Sequence, residues 1–243
     1  AVSLHSFSGG NLRNAIPREA SAVIVLDGNS DPVKSFIQAY SQVIREEYQK
    51  TEPGLQITFE KQNNIEDAWK ESDQNRLLNL LYGLPHGVYG WSQEMEDLVE
   101  TSTNLASVKE NQPGKIEITT SQRSSKDSAK EDISAKVTSV FLLAGASVSY
   151  STGYPGWNPN PGSQILKVAD NAYQKLFNEK PKIRAIHAGL ECGLFLEKSP
   201  GLDMISIGPT IRGAHSPDER LDIESSQKFW DLLLEILKNI PGS

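Results

Sequence analysis

A glycine- and proline-rich segment at residues 153–162 is the strongest constraint on how this chain folds. Six of its ten residues are glycine or proline, and both residue types are unfavourable inside helices and central strands. The segment therefore predicts a domain boundary or a functional loop. It separates a longer N-terminal part from a shorter C-terminal part with a different pattern.

The N-terminal part, residues 1–152, mixes strand-like and helical patterns. Alternation of apolar and polar residues predicts strands at residues 1–7, 16–26, 55–59, 98–108, 115–120 and 148–151. Apolar residues spaced by three and four predict helices at residues 31–44, 72–81 and 133–144. This order predicts an α+β domain in which helices cover one face of an antiparallel sheet.

The C-terminal part, residues 153–243, has the pattern of an incomplete α/β domain. Ser163 is a good helix cap before an amphipathic stretch, and residues 223–240 predict a terminal helix. Short apolar runs at 183–186 and 204–207 predict buried strands. Two short strands make too thin a sheet to stand alone, so we expect a partial α/β domain and an α/β chain overall.

Composition and charge exclude several classes of protein. The net charge is −7 and no long basic tract is present, which argues against a nucleic-acid partner. No apolar run approaches the roughly 18 residues of a membrane span. A single cysteine, Cys192, forms no internal disulfide, as is typical of a reducing compartment. The chain opens on strand-like alternation without an initiator methionine, so we expect its N-terminus to be an internal boundary.

His215 and Cys192 are the residues with the most reactive local settings, and each has two interpretations. His215 lies in a glycine- and proline-rich loop after an apolar run, where α/β proteins place ligand-binding groups. It also fits a surface histidine in a turn. Cys192 follows His187 closely and could be a nucleophile or a zinc ligand. A small core residue is the other interpretation.

Arg123 and Asn14 also have ordinary structural interpretations. Arg123 lies between a predicted strand and a predicted helix, where it fits either a cation at a helix end or a bidentate clamp for a carboxylate. Asn14 lies among charged residues at a predicted strand end, which fits an exposed edge with a local Arg/Glu pair.

Four segments together indicate a family. They are GGNLRNAIPREA at 9–20, YPGW at 154–157, HAGLECGLF at 187–195, and SIGP followed by HSPDE at 206–219. In this order and spacing they resemble the C-terminal half of the aminoacyl-histidine dipeptidases, also called cytosolic non-specific dipeptidases, which are dizinc metallopeptidases. The resemblance runs essentially end to end.

The resemblance implies a domain organisation and site residues. Residues 1–152 correspond to most of a lid domain, and residues 153–243 to the returning segment of a catalytic domain that binds a pair of zinc ions or other divalent metals. His215 matches the last metal ligand of the family. The implied substrate-binding residues, near the substrate carbonyl, its carboxylate and its amino terminus respectively, are Asn14, Arg123 and Glu191.

The resemblance also implies what the chain does not contain. The family's His-x-Asp pair, bridging Asp, Glu-Glu pair and further Asp ligand have no counterpart here, so we expect no catalytic residue in this chain and no hydrolysis by the chain alone. The implied parent is a cytoplasmic dipeptidase that cleaves dipeptides such as Xaa-His with metal-activated water. Its expected partners are the missing N-terminal half and, by analogy with related lids, a second copy. The alternative is a free-standing binding or dimerisation module.

Overall fold

The computed structural model describes all residues except 63–64, 66, 94–96, 113, 152, 154–156, 158–159, 161, 185–190, 215–217 and 241–243. In the described part, the helices are α1 (Asp31–Tyr48), α2 (Glu71–Gly83), α3 (Asp127–Leu143), α4 (Gln164–Phe177), α5 (Glu191–Lys198) and α6 (Ile223–Asn239). The strands are β1 (Val2–Gly9), β2 (Ala20–Leu26), β3 (Gly87–Trp91), β4 (Val99–Gln112), β5 (Lys115–Ser124), β6 (Ile211–Arg212) and β7 (Arg220–Leu221). The expected α/β class is confirmed.

The strands form an antiparallel sheet and a short ribbon. The order of hydrogen-bonded strands is β2-β1-β4-β3, and β5 also pairs with β4. β1 and β2 run from Val2 opposite Leu26 to Gly9 opposite Ala20, with an irregularity between Leu4 and Ser6. β6 and β7 form a separate two-stranded ribbon.

The first of two compact units comprises Ala1–Leu12, Pro17–Gly83 and Ser107–Thr119. In this unit α2 is hydrogen-bonded to β1: the Leu4 N–H donates to Gln74 Oε1 at 2.6 Å. Leu4, Leu77 and Leu80 are buried in this unit. α1 starts within one residue of the predicted position, and proline lies in its first turn. The Asn29 side chain accepts a hydrogen bond from the Asp31 N–H directly before it.

The second unit comprises Arg13–Ile16, Leu84–Ala106 and Thr120–Ser243. α3 buries the stripe predicted from its spacing, with Ile133 fully buried. α4 and α6 pack through Ala169, Ala172 and Ile236. Beside that contact, Lys175 Nζ lies 2.6 Å from Glu235 Oε1.

Three expected strands are not formed. Residues 55–59, 148–151 and 204–207 pair with no strand in the described part of the chain, although Leu55, Ile57 and Phe59 are half-buried on alternate positions as predicted. Alternation predicts which side chains face apolar surroundings, whereas a strand also needs a neighbour to hydrogen-bond. The strand expected at 183–186 lies partly outside the described residues. β3, β6, β7 and α5 were not predicted.

The expected domain boundary near residue 152 stays a prediction. Among the described helices, none is long and apolar enough to span a membrane.

Candidate functional site

The hairpin of β4 and β5 supplies the framework for the candidate site. Two side-chain hydrogen bonds join its strands: Thr101 Oγ1 with Ser124 Oγ at 2.9 Å, and Gln122 Nε2 with Thr103 Oγ1 at 3.1 Å. Both pairs follow one antiparallel register. Because side chains alternate along a strand, Arg123 lies on the opposite face of the sheet from these bonded pairs.

Arg123 is a half-buried cation on that face. Within the described part of the chain, the structure shows no ion pair for its guanidinium. Glu100 also lies on this face, but its carboxylate is held by Lys126 at 2.8 Å and its side chain is only 14% exposed. The guanidinium presents planar donors that match a carboxylate in a bidentate arrangement. Arg123 is therefore suited to bind an anionic group.

Asn104 shares this face, because it lies two residues from Ser102 in β4, and the register puts Ser102 opposite Arg123. Its Nδ2 donates to the Ala15 carbonyl oxygen at 2.7 Å. That carbonyl belongs to the turn Arg13–Ile16, which carries the exposed Asn14. The structure thus joins the turn of Asn14 to the strand beside Arg123.

Asn104 was not found by sequence reasoning. An amide inside a strand pattern is an ordinary polar residue until its distant partner is known, and here the partner is 89 residues away in sequence. The sequence carried little signal for it, because Asn104 lies between Thr103 and Leu105 in a predicted strand that contains several other polar residues.

His215 lies outside the described residues, but both ends of its loop are described. Ile211 pairs with Leu221, and Arg212 pairs with Arg220. The Asp222 N–H donates to the Thr210 carbonyl at 2.9 Å, which closes the base of the loop. The glycine- and proline-rich segment that contains His215 therefore connects β6 to β7, and α6 follows directly.

Glu191 is the first residue of α5, and its side chain lies outside the description. His187 also lies outside it, so the interpretation that pairs His187 with Cys192 stays a prediction. Cys192 is half-buried in α5. The structure brings together the Asn14 turn and the Arg123 strand, whereas His215 and the Glu191 side chain lie outside the described part of the chain.

The described residues do not by themselves hold a metal ion. Across that part of the chain, no three histidine, cysteine, aspartate or glutamate side chains come close enough to form a metal-binding group. His215 is not among the residues this covers. A stable zinc site needs at least three protein ligands, and the described residues alone form no such group.

Comparisons with known proteins give the chain its family. Residues 18–239 match Peptidase family M20/M25/M40. The chain is 41% identical over 240 residues to the cytosol non-specific dipeptidase of Escherichia coli (strain K12), covering 98% of this chain and 49% of that protein. Its fold matches a crystal structure of aminoacylhistidine dipeptidase from Vibrio alginolyticus with a TM-score of 0.81 and 37% identity, over 100% of this chain and 49% of the other.

A more distant solved structure shares the fold. The aminopeptidase PepT of Bacillus cereus matches 68% of this chain and 44% of its own chain, with a TM-score of 0.51 and 19% identity. The chain spans about half the length of the two dipeptidases, 49% in each case. The resemblance stated from the four segments is confirmed, and the chain belongs to Peptidase family M20/M25/M40.

Proposed function

We propose that this chain is the lid and C-terminal segment of a metal-dependent dipeptidase. Residues 1–152 form most of the lid in this proposal, and residues 153–243 complete a catalytic domain whose other half lies outside the chain. The observation that carries the proposal is the half-buried Arg123 on the same sheet face as Asn104, which binds the Asn14 turn. A carboxylate-binding cation beside an amide suits a short peptide with a free C-terminus.

Each candidate residue has a role in this proposal. Arg123 binds the C-terminal carboxylate of the dipeptide, and Asn14 lies near the scissile carbonyl. Glu191 binds the substrate's amino terminus, because a carboxylate attracts an ammonium group. His215 is one ligand of a metal pair, which we propose to be zinc.

The chemistry of the metal pair would come mostly from outside this chain. Members of the family are generally metal-dependent, and such ions act as Lewis acids and activate water. This chain contributes one proposed ligand, His215, so no catalytic step is assigned to its residues. Its part is to bind and orient the substrate. A cytoplasmic location and a homodimer paired through the lid remain part of the proposal.

The test uses the full-length protein that includes the upstream half. We expect the wild type to bind zinc and to hydrolyse dipeptides, Xaa-His among them, and a chelator to abolish this activity. His215→Ala should lose bound zinc, measured by elemental analysis, and at least about a hundredfold in kcat/KM, because even groups outside the ligand shell are worth 10–100-fold.

The control is His5→Asn, which changes a histidine whose Nδ1 lies 2.6 Å from the Asp67 carbonyl oxygen in the first unit. It should retain both zinc and activity. Full activity in a folded His215→Ala protein, or hydrolysis that resists the chelator, would show that the chain serves another function. The free-standing module predicts a third outcome, in which neither zinc nor dipeptides bind to the full-length protein.

A further inference from the structure

Asn104 is unusual for a strand residue, because only one of its two side-chain amide atoms has a hydrogen-bond partner among the described residues. Its Nδ2 donates to the Ala15 carbonyl oxygen at 2.7 Å. Its Oδ1 is buried, and among the described residues the structure shows no donor for it. A buried acceptor without a donor is unfavourable. If Asn104 only filled space in β4, an apolar side chain would serve without this cost.

The Ala15 carbonyl fixes the orientation of the amide. Exchanging the nitrogen and oxygen of Asn104 would set two acceptors against each other at 2.7 Å. The nitrogen must therefore face the turn, and the oxygen must face away from it.

The loop that carries Asn14 is closed at its base, where the Gly10 N–H donates to the Glu19 carbonyl oxygen at 3.1 Å, and the Asn104 contact fixes its tip. Arg13 and Asn14 are both exposed, and residues 13–14 form a turn. The neighbouring Asn11 carbonyl lies 3.5 Å from Lys109 Nζ, a long contact to a flexible side chain. A short bond from a strand residue is the firmer anchor, because β4 is held by β3 on one side and by β5 on the other.

We propose that Asn104 is a positioning residue for substrate binding: it holds the Asn14 turn in register with the sheet face that carries Arg123. This inference rests on the proposed function for the roles of Asn14 and Arg123. Asn104 acts through Asn14 and does not itself contact the reacting atoms. Its importance follows from geometry, since catalytic groups displaced by about 1 Å lose up to roughly a hundredfold in rate.

The first test needs no substrate. Trypsin cleaves after Arg13 only when the turn opens, so the rate of cleavage at Arg13–Asn14, followed by mass spectrometry, measures how firmly the turn is held. Asn104→Ala should accelerate this cleavage about tenfold, the effect expected from losing one buried hydrogen bond. Asn104→Asp, which is isosteric and replaces the donor with an oxygen, should do the same.

The matched control is Asn111→Ala. Asn111 is an exposed asparagine of the same strand, whose Nδ2 donates to Glu117 Oε2 at 3.1 Å. Its loss should leave cleavage after Arg13 unchanged. An Asn104→Asp protein that is folded by circular dichroism and is cleaved at the wild-type rate would overturn the proposal.

The second test uses the full-length enzyme and a double-mutant cycle. Asn104→Ala should lower kcat/KM for a dipeptide by about 10- to 100-fold. If Asn104 acts through Asn14, Asn14→Ala combined with Asn104→Ala should be no worse than Asn14→Ala alone. Additive losses would overturn the positioning role. A wild type without dipeptidase activity would refute the proposed function instead, and the cleavage assay would still decide whether Asn104 holds the turn.

Discussion

Among the candidate site residues, Arg123 has the environment that most strongly indicates a bound ligand. A half-buried guanidinium loses part of its hydration, and this loss is unfavourable unless an anion compensates it. The carboxylate on the same face, Glu100, already pairs with Lys126 at 2.8 Å. Arg123 therefore has the exposure that a carboxylate ligand requires, and no described residue forms an ion pair with its guanidinium.

We expect Arg123→Met to raise KM for a dipeptide by about 10- to 100-fold in the full-length enzyme, because hydrogen bonds to charged groups contribute about 1.5–3 kcal/mol. Arg123→Lys should recover only part of this loss, since an ammonium group does not bind a carboxylate bidentately. Steady-state kinetics with a dipeptide and with its C-terminal amide separate the effects. The amide should be poor for the wild type and no worse for Arg123→Met.

Arg76→Lys is the control for this prediction. Arg76 is an exposed arginine of α2 that lies 4.0 Å from Asp73, and its replacement should change neither substrate's KM. An Arg123→Met enzyme with the wild-type KM for the free dipeptide would contradict the carboxylate-binding role.

At the scale of one element, the N-terminus of α4 is capped by two residues. Ser163 Oγ accepts from the Leu166 N–H at 3.0 Å, as its position in the sequence predicts. Asp203 Oδ2 accepts from the Gln164 N–H at 2.7 Å and from the Ile165 N–H at 3.0 Å. The Ser163 hydroxyl and these backbone N–H groups hold the pKa of Asp203 below its usual 3.8.

This lowered pKa makes a prediction about pH. A carboxyl group with a depressed pKa in the folded state contributes stability above its unfolded pKa, and this contribution is lost as pH falls through the folded value. Asp203→Asn should therefore lower the melting temperature by about 2 °C at pH 7. The difference from wild type should shrink as pH falls below 3.8. Thermal melts at several pH values measure this.

Asp231→Asn provides the comparison. Asp231 is an acidic residue of α6 that accepts from Gln227 Nε2 at 2.9 Å. Its substitution should change the melting temperature less than Asp203→Asn does at pH 7. A difference between Asp203→Asn and wild type that stays constant down to pH 2 would show that the charge of Asp203 does not stabilise α4.

Helices were more predictable than strands in this chain, for a physical reason. The cap at Ser163 and the spacing of residues 223–240 predicted α4 and α6 almost to the residue. Caps and periodicity act within one segment. The run at 204–207 is as apolar as a buried strand, yet it pairs with no strand among the residues that the structure describes. β3 escaped prediction because two glycines interrupt its alternation.

The candidate site shows the same limit. The four segments led to Asn14, Arg123, Glu191 and His215 through resemblance, and local pattern alone left each with an ordinary interpretation. The bond from Asn104 to Ala15 depends on two residues that only the folded chain brings together. A long-range contact of this kind leaves no periodic signal in one sequence.

At the scale of the molecule, several apolar side chains of α6 lie outside its contact with α4. Ile236 is buried against α4, yet Trp230 and Leu237 are 52% and 56% exposed. Ile223 and Leu234, which are also exposed, lie on the same stripe because the four residues are spaced by seven, four and three positions. Apolar stripes of this kind mark surfaces that a partner covers. The proposed partner is the upstream half of the catalytic domain.

The 243-residue chain alone should therefore not hydrolyse dipeptides when zinc is added in excess, because it provides only one of the proposed metal ligands. Mixing it with a separately produced upstream half should restore turnover and reduce acrylamide quenching of tryptophan fluorescence. The same mixture with a Trp230→Phe chain isolates the contribution of Trp230 to the quenching.

A His215→Ala chain should still associate with the upstream half but restore no turnover, which separates assembly from chemistry. Hydrolysis by the chain alone would contradict this division of the enzyme, because a complete site would then lie within it.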